Sequence, residues 1–194
     1  MTLNITILFG SYRKPSLGNR VVKYISKQAQ SMGHNVKVVD AQEIGIPLIE
    51  KRYVDYAPGT APKYLEDLKD LFQNKTDAFI LVSGEYNGTL QPGLKNLIDH
   101  FFVEYFHRPS GLVMYSVSPL GGARAAETLR ALCGIVGMPA IPNLLAVPVA
   151  QDALSEDGVP NDPKFNDKAS AFLKELAWYG RALKREKAEG GPAA

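Results

Sequence analysis

Short apolar runs alternate with longer amphipathic segments along the whole chain. Continuous apolar runs predict strands that are covered on both faces, and apolar residues three or four positions apart predict helices. The predicted strands are residues 5–9, 35–39, 78–83, 111–116 and 144–149. The predicted helices are residues 19–32, 61–74, 92–106, 123–137 and 162–187. A strand that alternates regularly with a helix is typical of a parallel sheet.

Five strands alternating with helices predict an α/β fold, with a five-stranded parallel sheet inside a three-layer α/β/α sandwich. The flavodoxin-like strand order 2-1-3-4-5 suits five strands and a closing helix better than a Rossmann-type order. In that order, the loops after the first, third and fourth strands meet at the point where ligands bind. We expect residues 1–187 to form a single ligand-binding domain and residues 188–194 to form a flexible tail.

Charge and hydropathy exclude several classes of function. The chain has 194 residues, with 22 basic and 20 acidic side chains and a formal net charge of +2. This balance disfavours nucleic-acid binding through a broad basic patch. The longest apolar run falls short of the length that spans a membrane, and the start lacks the basic segment of a signal peptide. We therefore expect no nucleic acid and no membrane partner, and a cytoplasmic location.

The residue types that usually form metal and hydrolase sites do not cluster in the sequence. His34, His100 and His107 are scattered, and Cys133 is the only cysteine, so we expect no metal site. A single cysteine cannot form an intramolecular disulfide, so folding needs no oxidising compartment. The G-x-S-x-G motif of a Ser-His-Asp hydrolase is also absent.

The loop after the first strand combines glycine, hydroxyl groups and a fixed positive charge just before a helix. Backbone N–H groups at a helix start favour an anion, and Ser11, Arg13 and Ser16 add donors suited to phosphate. The loop lacks both the G-x-x-x-x-G-K-[ST] motif and the G-x-G-x-x-G motif. Two interpretations remain open: an ordinary turn with a solvated arginine, or a phosphomonoester site.

The loop after the third strand is polar and contains an aromatic residue. The pair Asn87-Gly88 favours positive φ, which turns backbone N–H groups toward a ligand. Tyr86, an aromatic residue expected to be exposed, precedes this pair. Taken alone, the same residues are also compatible with a solvent-exposed tyrosine beside a plain turn.

Two segments resemble the signatures of the NAD(P)H-dependent FMN reductase family. The run GEYNGTLQPGLKNLIDHFF resembles the family's P-E-Y-N-x-S-x-P-G-x-L-K-N-x-I-D signature, and GSYRKPSLGN resembles its G-S-x-R-x-x-S phosphate loop. The order and separation of the motifs also agree, and the similarity covers about residues 4–150. This sequence departs from the family pattern at three positions. Gly84 replaces the usual proline, and Gly18 stands where the family often has asparagine, with Asn19 following it. Pro92 lies one residue further along the motif than the family's proline does in its tightest version.

The resemblance implies FMN as the cofactor and NADPH or NADH as the co-substrate. The residues it assigns to the FMN phosphate are Ser11, Arg13 and Ser16, assisted by Gly18 and Asn19. The residues it assigns to the isoalloxazine ring are Glu85, Tyr86, Asn87, Gly88 and Thr89, together with Ser118, Gly121 and Gly122 from the loop after the fourth strand. A glycine-rich connection is also common without a ligand, and Arg124 could be solvated or could meet a nucleotide phosphate.

The implied activity is a ping-pong hydride transfer from NAD(P)H to bound FMN and then to an acceptor. The family implies free FMN, quinones, azo compounds or metal oxyanions as acceptors. The cofactor performs this chemistry, so we predict no catalytic acid or base. One alternative is a flavodoxin-type electron carrier without NAD(P)H oxidase activity, although that class is usually strongly acidic. A non-catalytic nucleotide-binding domain, which would be colourless, is another.

The predicted helix over residues 92–106 has more apolar positions than one buried face requires. An exposed apolar face of this size is unusual for a monomer. We expect residues 94–106 to form the interface of a homodimer or homotetramer. The alternative is a helix that is buried on both sides within one protomer.

Overall fold

The computed structural model describes residues 1–192, so the last two residues of the predicted tail lie outside the described residues. Its strands are β1 (Asn4–Phe9), β2 (Asn35–Asp40), β3 (Ala78–Gly84), β4 (Ser110–Tyr115) and β5 (Ala140–Val147). They form one sheet in the order β2-β1-β3-β4-β5, and every neighbouring pair is parallel. The predicted flavodoxin-like α/β sandwich and its strand order are confirmed.

Seven α-helices surround the sheet in the described part of the chain. They are α1 (Leu17–Ser31), α2 (Ala41–Ile44), α3 (Lys63–Asp70), α4 (Pro92–Asp99), α5 (Ala123–Ile135), α6 (Ala150–Ala153) and α7 (Phe165–Ala188). A π-helical turn, Leu71–Lys75, extends α3, and 3-10 turns form at Tyr53–Asp55 and Val103–Tyr105. None of the helices within residues 1–192 combines the length and apolar character needed to cross a bilayer.

The core lies on both faces of the sheet because neighbouring residues of a strand point to opposite sides. Ile7 of β1 belongs to the cluster that α1 and α7 cover, with Val21 and Phe172. Its neighbour Leu8 belongs to the opposite cluster, which contains Leu97 of α4. Every residue of β3 and β4 is buried, as continuous apolar strands require.

The prediction of one helix over residues 92–106 is wrong in its second half. Helix α4 ends at Asp99, and Phe102 has φ −146° and ψ −78°, which breaks the helical path. The Phe102 N–H donates to Glu104 Oε2 at 2.9 Å, which replaces its helical partner. The carbonyl of His100 accepts a hydrogen bond from the backbone N–H of Tyr53 at 2.7 Å. These contacts satisfy the backbone where the helix stops.

The break directs most of the aromatic surface into the protomer itself. Phe101 and Tyr105 are 2% and 0% exposed, and the Tyr105 ring packs 5.5 Å from that of Phe72, centre to centre. Phe102 and Val103 remain 38% and 39% exposed. The expected interface over residues 94–106 is therefore reduced to a small apolar surface around these two residues.

Candidate functional site

A cleft of about 300 Å³ lies at the carboxyl ends of β1, β3 and β4, where the loops after these strands meet. This is the switch point at which ligands bind in open parallel sheets. The predicted site residues that line the cleft are Ser11, Arg13, Ser16, Glu85, Tyr86 and Ser118. The structure thus brings together residues from all three predicted segments.

The other two residues of the phosphate-binding prediction lie beside the cleft. Gly18 is buried under it, where an added Cβ would come 2.4 Å from the Tyr115 hydroxyl and 2.5 Å from the Phe9 ring. Asn19 is exposed and borders a neighbouring hollow that it shares with Arg13. Gly18 therefore makes room for the residues that line the cleft.

Asn87, Gly88 and Thr89 form the tip of a tight hairpin next to the cleft. Asn87 and Gly88 have φ values of +51° and +82°, so the predicted positive φ is confirmed. Tyr86 and Thr89 exchange both backbone hydrogen bonds, at 2.9 and 3.1 Å. This two-residue turn holds Tyr86 at the wall of the cleft.

Gly121 and Gly122 are buried at the start of α5 and do not line the cleft. Their φ values are +59° and +85°, and an added Cβ would press Gly121 against Pro148 and Gly122 against Met114. The glycines therefore allow the loop to turn tightly against β4 and β5. The Ser118 hydroxyl, which does line the cleft, lies 2.9 Å from that of Ser116.

The loop after β1 leaves the start of α1 available to an anion. Ser16 precedes α1, but its hydroxyl donates to Ser11 Oγ at 3.0 Å and does not cap the helix. The backbone N–H of Arg13 also donates to Ser11 Oγ, at 3.4 Å. Open N–H groups at a helix start, with the helix dipole behind them, favour a negatively charged group. This arrangement suits a phosphate.

Arg13 reaches from this loop to the opposite wall of the cleft. Its guanidinium carbon lies 4.7 Å from the centre of the Tyr86 ring, which is a cation–π contact. The loop after β1 and the loop after β3 are therefore in direct contact.

Glu85 and Arg124 form an ion pair at the edge of the cleft. Arg124 Nε donates to Glu85 Oε1 at 2.9 Å, and Arg124 Nη2 lies 2.8 Å from the same oxygen. The Glu85 side chain is 6% exposed and that of Arg124 is 64% exposed. An arginine in the first turn of a helix is unfavourable to the helix dipole, and this pairing offsets that cost. The sequence left two alternatives for Arg124, a solvated side chain or a contact with a nucleotide phosphate. The ion pair with Glu85 shows that Arg124 is not simply solvated.

Tyr115 and Gln91 also line the cleft, and the sequence analysis did not select either one. Gln91 is 1% exposed, and its Nε2 donates to the Tyr115 hydroxyl at 2.9 Å. Burial raises the pKa of Tyr115 to about 12, against the opposing effect of the hydrogen bond from Gln91. Tyr115 lies within the predicted strand 111–116, and its position at the carboxyl end of β4 could have indicated the site.

Buried polar atoms without a partner are concentrated at this cleft. Seven such side-chain atoms occur among residues 1–192, and three belong to cleft residues: Glu85 Oε2, Tyr86 Oη and Gln91 Oε1. A buried polar atom without a hydrogen bond costs free energy, so this set calls for a polar ligand. FMN offers a phosphate for the serine loop and hydrogen-bonding groups for these atoms, so the residues fit it. No group of three or more potential metal ligands occurs in the described residues.

The strand order and the cleft at its switch point define a protein with a flavodoxin-like fold. The chain belongs to the NADPH-dependent FMN reductase family, whose model matches residues 3–152. This confirms the family predicted from the two motifs. Membership implies an enzyme that uses FMN with NAD(P)H.

Three known proteins illustrate the similarity. The FMN-dependent NADPH-azoreductase of Staphylococcus aureus is 28% identical over 186 residues, covering 89% of this chain and 93% of the relative. FerB, a flavoenzyme NAD(P)H:(acceptor) oxidoreductase from Paracoccus denitrificans, superposes with a TM-score of 0.72 at 22% identity, covering 92% of this chain and 99% of FerB. The NAD(P)H:quinone oxidoreductase from Methanothermobacter marburgensis gives a TM-score of 0.61 at 15% identity, covering 94% and 100%. The two structural similarities concern the fold alone.

Proposed function

We propose that this chain is an FMN-dependent NAD(P)H oxidoreductase that works in ping-pong order on a small electron acceptor. The concentration of unpartnered polar atoms at the cleft is the observation that carries the proposal. When bound, FMN supplies the redox chemistry, taking a hydride from NAD(P)H and passing electrons to an acceptor that enters after the nucleotide has left.

The residues after β1 would hold the phosphate end of the cofactor. Arg13 would contribute a permanent positive charge, and the hydroxyls of Ser11 and Ser16 would contribute hydrogen bonds. The uncapped start of α1 adds backbone N–H groups that favour the same charge. The chain thereby orients the cofactor with its phosphate toward α1.

The residues after β3 and β4 would contact the ring. Tyr86 offers an aromatic face, and Glu85 has one carboxylate oxygen free of protein partners among the described residues. Arg124 fixes the Glu85 carboxylate by holding its other oxygen. The third wall of the cleft consists of Ser118 and Val117. Because Val117 is 65% exposed, this side would leave access for a second flat molecule.

The names of the relatives support small conjugated acceptors. An azoreductase and a quinone oxidoreductase are among the similar proteins, so we propose azo compounds and quinones as the first acceptors to test. Free FMN and metal oxyanions complete the set. The protons that these acceptors take up together with the electrons can come from water, so we assign no catalytic residue.

Spectroscopy and steady-state kinetics test the proposal. The purified protein, supplied with FMN, should bind it and lose its flavin absorbance when NADPH or NADH is added anaerobically. Adding a quinone or an azo dye should restore the absorbance, and initial rates should give the parallel double-reciprocal lines of a ping-pong scheme. Absence of FMN binding overturns the proposal. Bound FMN that stays oxidised with both nucleotides indicates the flavodoxin-type carrier instead.

We also infer a homodimer or homotetramer in the cytoplasm. The apolar surface around Phe102 and Val103, next to the half-buried Phe106, supports self-association. The Phe102 and Phe106 rings pack edge to face at 5.3 Å, which gives this surface a fixed shape.

A further inference from the structure

The side-chain amide of Gln91 is hydrogen-bonded at its nitrogen and has no partner at its oxygen among the described residues. Its Nε2 donates to the Tyr115 hydroxyl at 2.9 Å, and its backbone N–H donates to Ser83 Oγ at 3.1 Å. Its Oε1 is buried and accepts no hydrogen bond from the described residues, although the residue lines the cleft. A clamped amide with a free oxygen is arranged to accept a hydrogen bond from a ligand.

The direction of the hydrogen bonds explains why the oxygen is the free end. The amide nitrogen of Gln91 carries the N–H donors and its oxygen carries none, so the bond from Nε2 to the Tyr115 hydroxyl leaves Oε1 as the free end. The Tyr115 hydroxyl lies beside the loop after β1, because a Cβ at Gly18 would come 2.4 Å from it, and Tyr115 lines the cleft together with Ser11 and Ser16. The free oxygen of Gln91 is thereby fixed by its bond to a residue next to the phosphate loop.

The surrounding glycines show that this pair has a fixed place in the fold. A Cβ at Gly84 would come 2.9 Å from the Tyr115 ring and 3.0 Å from Gln91 Nε2. A Cβ at Gly18 would come 2.4 Å from the Tyr115 hydroxyl. The two glycines therefore make the space in which the Gln91–Tyr115 pair packs, including the position where the family signature has proline.

We propose that Gln91 is a positioning residue whose Oε1 accepts a hydrogen bond from a hydroxyl of the ribityl chain of FMN. The inference rests on the proposed function, because it takes the serine loop as the phosphate site and residues 85–86 as the ring site. Gln91 is hydrogen-bonded to Tyr115, which lines the cleft together with the serines, and it follows the ring loop in sequence. The polyol chain joins the phosphate to the ring and is the part of FMN that lies between these two sites.

Binding of three flavins by the full chain tests this assignment. FMN, riboflavin and lumiflavin share the ring, but lumiflavin lacks the ribityl chain and riboflavin lacks only the phosphate. Dissociation constants are measured from flavin fluorescence for the wild-type protein and for Gln91→Met, which keeps the length of the side chain and removes its polar end. Gln73→Met, a change on a partly buried glutamine outside the cleft, is the matched control.

The assignment predicts that Gln91→Met weakens FMN and riboflavin by the same factor, about tenfold, which one net hydrogen bond is worth. Lumiflavin binding should not change. An equal loss for all three flavins, a loss for FMN alone, or no loss at all would each overturn the ribityl assignment. Wild-type protein that binds no FMN would instead overturn the proposed function.

A second variant keeps the test decisive if Gln91→Met folds poorly, as judged from its melting temperature. Tyr115→Phe removes the hydroxyl that holds Gln91 Nε2 and leaves the glutamine in place. It should weaken FMN and riboflavin, again without affecting lumiflavin. Unchanged riboflavin binding in a folded Tyr115→Phe protein would show that the Tyr115 hydroxyl does not position Gln91 for the ligand.

Discussion

The guanidinium of Arg13 stacks on the ring of Tyr86, with 4.7 Å between the guanidinium carbon and the ring centre. The two residues are far apart in sequence and belong to the loops after β1 and β3. This contact joins the end of the cleft suited to phosphate to the end suited to an aromatic ring. A change at Arg13 should therefore affect binding more than a change at an exposed neighbour.

Arg13→Ala should weaken FMN binding by about 1.5–3 kcal/mol, the scale of a hydrogen bond to a charged group. Arg13→Lys should recover part of this loss, because lysine restores the charge but not the planar fork. Fluorescence titration with FMN measures both values. Lys14→Ala is the control, since Lys14 is exposed and does not line the cleft. Equal affinity in Arg13→Ala and the wild type would place the phosphate elsewhere.

Gly18→Ala should destabilise the protein by about 1–3 kcal/mol through overpacking. The added methyl group would meet the Tyr115 hydroxyl at 2.4 Å and the Phe9 ring at 2.5 Å. The double variant Gly18→Ala/Tyr115→Phe should recover part of the lost stability, because the clash with the Tyr115 hydroxyl disappears. Urea unfolding followed by circular dichroism measures these differences.

The matched control for that experiment is Gly134→Ala in α5. No atom lies within 4 Å of the Cβ that would be added there, among the neighbours that the structure describes. Replacing a helical glycine with alanine in open space should stabilise the protein by up to about 1 kcal/mol. If the two variants lost the same stability, the clash at Gly18 could not be the cause.

Alkaline pH should reduce the free energy of unfolding, and Tyr115 should contribute to this loss. Burial raises its pKa from 10.0 to about 12 in the folded state, so the unfolded chain ionises first. The contribution is complete below pH 10 and disappears as the pH rises toward 12. Between pH 9 and pH 11, Tyr115→Phe should lose about 1 kcal/mol less than the wild type.

Denaturant unfolding at the two pH values measures the effect of Tyr115. Tyr24→Phe provides a parallel case, because burial also raises the pKa of Tyr24 to about 12. A Tyr115→Phe protein with the full alkaline loss of the wild type would show that Tyr115 is not protected from ionisation.

The variant Phe102→Ser/Val103→Ser should shift the proposed oligomer toward the monomer. Both side chains are more than one third exposed, so their replacement should cost the isolated protomer little. Size-exclusion chromatography with light scattering measures the mass in solution. Ile135→Ser, on a 70% exposed residue of α5, serves as the control surface change. A wild-type protein that is monomeric at all concentrations would refute the proposed assembly.

The sheet could be predicted from the sequence because its strands have a strong local pattern. All seven residues of β3 are buried, and the sequence shows this as a continuous apolar run. Strand β5 is less regular, with a register shift opposite Ser110 and Leu112, and the prediction missed its first residues. The ends of elements depend on neighbours that a local pattern does not contain.

The end of α4 shows how tertiary contacts override helical spacing. Phe101 and Tyr105 are four residues apart, which is typical of one helical face, and both are buried. They reach the core through a broken path because Glu104 supplies a replacement hydrogen bond to Phe102. The spacing of these two residues therefore agrees with their burial, although the backbone between them is not one helix.

The candidate site was predictable where its residues belong to a continuous motif. Glu85 and Tyr86 come from such a motif, and both line the cleft. Gln91 and Tyr115 were missed because their hydrogen bond joins positions 24 residues apart in sequence. Only the pairing of β3 with β4 brings these two residues together.

The same strand pairing sets an order of events while the chain is being made. The first wall of the cleft is complete by Leu17, but the last wall requires Tyr115 and Ser118. Strand β1 must also wait for β3, since Ile7 pairs with Ile80 in the finished sheet. A growing chain therefore lacks the complete cleft at an early stage, and the proposed flavin can be loaded only after more than half of the polypeptide has been made.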